Sequence, residues 1–197
     1  IVMRVGLSGY SYKPWQGEDR FYPVGLKQAE FFSFYASRYD IVEMDGTWYR
    51  MPATSQVEAW GTAAPEGFCF CFKAHRQVTH MARLKPEALE PLQFMMKRLE
   101  PMKDRLGPVL LQLPPNLKRD DERLKHFLGR LPETTYHRQW AVEFRNETWH
   151  DENVEAILRE HNVAWVASDT DEADAQRRNT ANFSYARLRK LEYDHEA

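Results

Sequence analysis

The sequence is poor in cysteine, balanced in charge and without any long apolar run. Only two cysteines occur, Cys69 and Cys71, and a strand that held them two residues apart would strain a disulfide between them. Free thiols in a reducing compartment are the expectation, and with them a cytoplasmic location. Lysine and arginine number 27 against 29 acidic residues, giving a net charge of −2 and a pI near 6.4. That balance removes any global electrostatic case for nucleic acid or an anionic membrane, so an affinity for phosphate has to be local. The opening IVMRVGLSGYSY has neither the basic segment nor the apolar stretch of a secretory signal. No run is long enough to cross a bilayer, and no membrane partner is expected. No glycine-rich phosphate fingerprint follows the first apolar run, and no HExxH or His-x-His cluster occurs. No cofactor and no tightly held metal is therefore expected.

What is present is an alternation of short β-rich runs with longer amphipathic stretches, the pattern of a parallel sheet flanked by helices. Strands are expected at Met3–Ser8, Asp40–Asp45, Phe68–Lys73, Val109–Leu113, Trp140–Phe144, Val163–Ser168 and Phe183–Leu188. Helices are expected at Leu26–Arg38, Ser55–Ala64, Pro86–Leu106, Asp120–Leu131 and Glu152–His161, with Gly107 and Pro108 stopping the third. Met95, Met96, Leu99 and Met102 recur at helical spacing and are assigned to the core, and LKRDDERLKHF to a solvated helix start. The loop GYSYKPWQGEDRFYPVG is long and aromatic for a connection. Seven strands in this order suit a TIM-like (β/α) barrel in a single domain spanning residues 1–197. Such barrels usually take about 250 residues, so the chain is expected to lack its last strand and to be truncated at its C-terminal end.

Parity along each strand separates residues facing the barrel interior from those facing the helices. In FCFCFK the phenylalanines share one face, while Cys69, Cys71 and Lys73 share the inner one. Trp140, Val142 and Phe144 face the helices; Ala141, Glu143 and Arg145 face in. Ile41, Glu43 and Asp45 are inward on the second strand, and Leu110 and Gln112 on the fourth. Glu43, Lys73, Gln112, Glu143 and Asp169 all fall at carboxyl ends, the rim where barrel enzymes build their sites. The plain alternative is structural, with Glu143 pairing Arg145 on one strand.

The blocks GLSGYSYKPWQG, FYPVGLK, VEMDGTWYR, FCFKAHRQVTH, GPVLLQLPPN and EFRNETW occur in that order. Together they resemble the YecE-like family, domain of unknown function 72, from about residue 4 to residue 188. The resemblance implies a TIM-like barrel and no established activity. It marks Ser8, Tyr10, Glu43, Thr47, Tyr49, Arg50, Lys73, Thr79, His80, Gln112, Pro114, Pro115, Glu143, Arg145, Trp149 and Asp169. The family's second block more usually reads VEINSTFYR, so Met44, Asp45, Gly46 and Trp48 are departures. A further departure follows the seventh strand, which in the family leads into a His-Gly pair, whereas here Arg187 is followed by Leu188, Arg189 and Lys190. The family's last block, a strand ending in asparagines, has no counterpart here.

The leading functional expectation is an enzyme, a hydrolase or isomerase, acting on a small anionic ligand, phosphorylated or carboxylated and sugar-like. Arg50, Lys73 and Arg145 would hold the anion through charge-assisted contacts. Glu43, Glu143 and Asp169 are the acid/base candidates. Tyr10, Tyr49, His80, Gln112 and Trp149 complete the substrate-binding set, with Tyr12 and Trp15 as further stacking surfaces. A metal-dependent hydrolase or isomerase using Glu43, His80, Glu143 and Asp169 ranks second, because basic residues share that rim. A non-catalytic nucleic-acid module with Arg, Lys, Tyr and Trp at the rim ranks third. Oligomeric state does not follow from the sequence.

Overall fold

The structure, a computed structural model, describes residues 2–193. Among them, seven strands form one sheet in chain order: β1 Gly6–Ser8, β2 Ile41–Met44, β3 Cys69–Lys73, β4 Leu106–Gln112, β5 Trp140–Glu143, β6 Ala164–Ser168 and β7 Tyr185–Arg187. Every neighbouring pair is parallel, which requires a crossover after each strand. The sheet curls into a half-barrel, far enough that β7 side chains hydrogen-bond to Glu43 on β2. Among the described residues, five α-helices cover its outer face: α1 Phe31–Ala36, α2 Thr54–Ala63, α3 Leu89–Leu99, α4 Asp121–Thr134 and α5 Glu152–Glu160. Among the described residues, no helix is long and apolar enough to cross a membrane.

The alternation in β3 works as expected. Phe70 and Phe72 are fully buried toward the helices, and Phe70 stacks on Phe32 of α1 with centroids 5.7 Å apart. Leu92, Met95, Met96 and Leu99 of α3 are buried in the same core, and so is Met102. Asp120 caps α4 by accepting from the Arg123 amide at 3.0 Å, and Asp151 caps α5 by accepting from Asn153 at 2.8 Å. Both caps satisfy amides that a helix start leaves without partners.

The expected third helix and fourth strand need correction. Helix α3 ends at Leu99, and Glu100–Arg105 form tight turns with Pro101 in the first of them, because proline breaks the regular ladder. Gly107 and Pro108 do not stop a helix; they lie inside β4. The β3–β4 pairing advances from Phe70↔Leu106 to Phe72↔Val109, so β4 carries an extra residue there. A bulge tolerates a proline that cannot donate to the ladder. A Cβ at position 107 would stand 2.4 Å from the Cys69 sulfur, so glycine lets β4 pass the inner cysteines. Helix α1 is also shorter than expected, and no helix separates β6 from β7.

Candidate functional site

From the amino-terminal end upward, the inner face changes from small and apolar to polar. Leu110, Ala141, Ala164 and Val166 form an inner cluster with Phe183 and Tyr185 packed against it. Cys71 is buried beside Cys69, and both are free thiols. Above this floor the strand ends bring Ser8, Glu43, Lys73, Gln112, Glu143 and Arg187 together, linked by the registers Ser8↔Glu43, Lys73↔Leu110 and Gln112↔Glu143.

One side of the rim is a saturated ionic network. Arg187 on β7 lies between the two glutamates. Its Nε and Nη2 meet the two carboxylate oxygens of Glu43 at 3.0 and 2.9 Å, and Nη1 meets Glu143 at 2.8 Å. Glu143 is fully buried and also accepts from Arg189 at 2.6 Å and from Gln112 Nε2 at 3.0 Å. Glu43 further accepts from Ser8 at 2.9 Å and Tyr185 at 2.6 Å. Burial opposes the charge on Arg187, but Glu43 and Glu143 outweigh it and raise its pKa. Burial, followed by the nearby Cys71 and Glu43, holds the Tyr185 phenol protonated well above its ordinary range. A forked guanidinium spanning two carboxylates is the geometry in which arginine surpasses lysine.

The other side of the rim is open. Lys73, half-buried at the end of β3, has no carboxylate within ion-pair distance among the described residues. Its ammonium instead sits over the Trp48 ring, 5.3 Å from the centroid. Trp48 donates weakly to His80 Nδ1 at 3.4 Å, and the rings meet edge to face at 4.9 Å. Thr79 Oγ1 shares the same nitrogen at 2.8 Å. Burial lowers the His80 pKa, and Lys73, Arg145 and Arg83 lower it further, so the imidazole is held neutral in a positive field. Burial, then Arg187, lowers the pKa of Lys73 against the pull of Glu43, Glu143 and Asp45. Arg145 is exposed and forms no ion pair among the described residues, so the structural alternative of a Glu143–Arg145 pair is absent.

Several expected site residues lie elsewhere. Trp149 is 1% exposed, stacks on Phe144 at 4.9 Å and donates to the Leu117 carbonyl at 2.7 Å. It is core on the helix side of the sheet and cannot stack on a ligand at the rim. Tyr10 packs edge to face on Phe32 at 5.3 Å, against the core. Tyr12 donates to Asp45 at 2.6 Å and packs on Trp15. Arg50 lines a separate groove with Trp60, Phe94 and Arg98. Tyr49 is exposed, its carbonyl 3.3 Å from His75 Nε2. Asp169 is buried and occupied by the segment after β7, accepting from the Arg189 amide at 2.5 Å and the Tyr193 hydroxyl at 2.7 Å. Although burial acts to raise its pKa, those bonds and Lys190 leave it lowered. Among the described residues, no group of three His, Cys, Asp or Glu converges as metal ligands would.

Residues not assigned from the sequence complete the network: Tyr185, Arg187, Arg189 and Trp48. The signal for the first two was available. Phe183, Tyr185 and Arg187 share a parity on the expected seventh strand, and that parity is the inner one.

Comparisons with known proteins bear on the family and the fold. The family described as "Protein of unknown function DUF72" matches residues 4–196. UPF0759 protein YunF of Bacillus subtilis is 28% identical over 159 residues, covering 75% of this chain and 52% of that protein. UPF0759 protein YecE of Escherichia coli is 29% identical over 132 residues, covering 66% and 45% respectively. The chain thus spans about half the length of the curated relatives it matches. A DUF72 family protein from Thermotoga maritima, solved by crystallography, superposes with a TM-score of 0.76 at 28% identity over 94% of this chain and 73% of that one. A DUF72 family protein from Enterococcus faecalis gives 0.68 at 20% identity over 94% and 72%, a likeness of fold alone.

Proposed function

Since this chain belongs to the DUF72 family, whose description assigns no activity, we propose that it is an enzyme that binds a small anion at the open side of the rim. The half-barrel is read as part of a (β/α) barrel, with the site at its carboxyl end, where such folds converge their loops. One observation carries the reading: the cations on the two sides of the rim differ in their partners. Arg187 is consumed by Glu43 and Glu143, and Arg189 by Glu143. Lys73 and Arg145 have no acid of their own among the described residues, and both depress the His80 pKa. A half-buried cation without a counter-ion is costly, and a ligand oxyanion would supply one.

In this reading Lys73 and Arg145 contact the anionic group. The His80 imidazole, kept neutral, offers a proton acceptor, and Trp48 an apolar wall. Glu43 and Glu143 act through Arg187, holding the guanidinium fixed beneath the ligand, because their oxygens already accept from Ser8, Tyr185, Gln112 and the two arginines. They are positioning residues, while His80 takes the acid/base role. Phosphorylated and carboxylated sugars fit the mixture of cations, hydroxyls and one indole.

The test is a thermal-shift screen against sugar phosphates, carboxylates, nucleotides, oligonucleotides and divalent metals. Ligands selective for the native state raise the melting temperature by mass action. A small anion whose shift weakens in Arg145→Ala and vanishes in Lys73→Met supports the proposal. Shifts confined to oligonucleotides, falling steeply with salt, or to metals would replace it with the nucleic-acid or metal reading.

A further inference from the structure

Resting on the anion site just described, we propose that Lys73 is a nucleophilic amine that forms an imine with the carbonyl carbon of a small anionic aldehyde or ketone. The position suits the chemistry. Lys73 ends β3 and shares the inner parity of Cys69 and Cys71, so its stem rises along the interior and its amine emerges at the rim. It is half-buried, and its ammonium rests on an indole instead of a carboxylate. The charged and titratable groups that act on it are Glu43 and Asp45 from β2 and its loop, Glu143 from β5, Arg187 from β7 and His80 from its own loop, and Arg145 from the loop after β5 acts on the same His80. No carboxylate among them lies within ion-pair distance to hold the proton on. Burial and Arg187 also favour the free base over the ammonium. The neighbouring arginines lack this chemistry, since a guanidinium does not lose its proton in proteins.

The step balances without an oxidant or reductant. The Lys73 nitrogen lone pair attacks the carbonyl carbon, forming a C–N bond and a carbinolamine. The carbonyl oxygen takes up protons and leaves as water, breaking the C–O bond. The protonated imine that remains carries the single positive charge that the lysine would otherwise have carried. His80, neutral and beside the same indole, is placed to take the amine proton and return it to the departing oxygen. The anionic part of the carbonyl compound would pair with Arg145, which orients the electrophile.

The experiment uses the full chain with pyridoxal 5′-phosphate as an anionic aldehyde probe and pyridoxal as its neutral counterpart. Each adduct is trapped by borohydride, and the modified lysines are mapped by peptide mass. The expected result is labelling of Lys73 by the phosphorylated probe at least tenfold above exposed Lys118, suppressed by inorganic phosphate and absent in Lys73→Arg, with the melting temperature retained. Equal labelling of Lys73 by both probes, without protection by phosphate, keeps the nucleophile and overturns the anion reading beneath it. Labelling of Lys73 no greater than that of Lys118 with either probe overturns the proposal.

Discussion

The two sides of the rim use the same residue types to opposite ends. On one side Glu43, Arg187, Glu143 and Arg189 form an unbroken chain of contacts, with Glu143 fully buried and every carboxylate oxygen accepting. On the other, Lys73 stands over Trp48 near Thr79 and His80, and Arg145 acts on the same His80, both cations without a counter-ion among the described residues. Charge at a strand end is therefore not enough to mark a site. What separates structure from candidate chemistry is whether the charge is already answered within the protein.

The largest effect should come from breaking the saturated side. Arg187→Met leaves the buried Glu143 and its partner Glu43 without their shared cation, and truncating one member of a buried ion pair costs roughly 3–5 kcal/mol. Urea denaturation should show that loss, and Arg187→Lys should rescue little of it, because a single ammonium cannot fork across two carboxylates. Lys73→Met should behave in the opposite sense. Stability should hold or rise, since a half-buried unpaired cation is replaced by an apolar chain, while affinity for a small anion should fall by about 1.5–3 kcal/mol, tenfold or more. Calorimetry and melting curves on the same samples check both halves.

A smaller effect should follow pH. Burial lowers the pKa of His75 and His80 from the ordinary 6.5. The unfolded chain then takes up protons first as pH falls, so stability is complete above that value and declines below it, toward the depressed folded values. Melting temperatures at successive pH values should show the decline. In Lys73→Met the His80 proton resonances should titrate at higher pH than in the wild type. The smallest effect is expected for Arg145→Ala. An exposed side chain with no ion pair should change stability by no more than about 0.5 kcal/mol, and only anion affinity should respond.

How much of this was legible in the sequence depended on strand parity. The period of two correctly turned Glu43, Lys73, Gln112 and Glu143 inward, because each lies within or at the end of a regular strand. It does not reach residues beyond strand ends, where the path of the loop decides direction. Arg145 is two residues past β5 and does not meet Glu143, and Trp149 turns back under Leu117 into the core. Tyr10 likewise folds onto α1. The inward parity of Arg187 is legible on the seventh strand, whereas its pairing with Glu43 and Glu143 depends on how far the sheet curls. The Pro86–Leu106 helix was overextended because a helical apolar rhythm continues to Met102, whereas Pro101 ends the regular turn.

Titrating wild type, Lys73→Met and Arg145→Ala with inorganic phosphate at fixed ionic strength, with histidine resonances followed by NMR, sets the two sides of the rim against each other. The expected result is a saturable shift of the His80 resonances in the wild type, weakened in Arg145→Ala and lost in Lys73→Met, with all three chains equally folded. An identical response in wild type and Lys73→Met, or none in any chain, would contradict the reading of the open rim as an anion site.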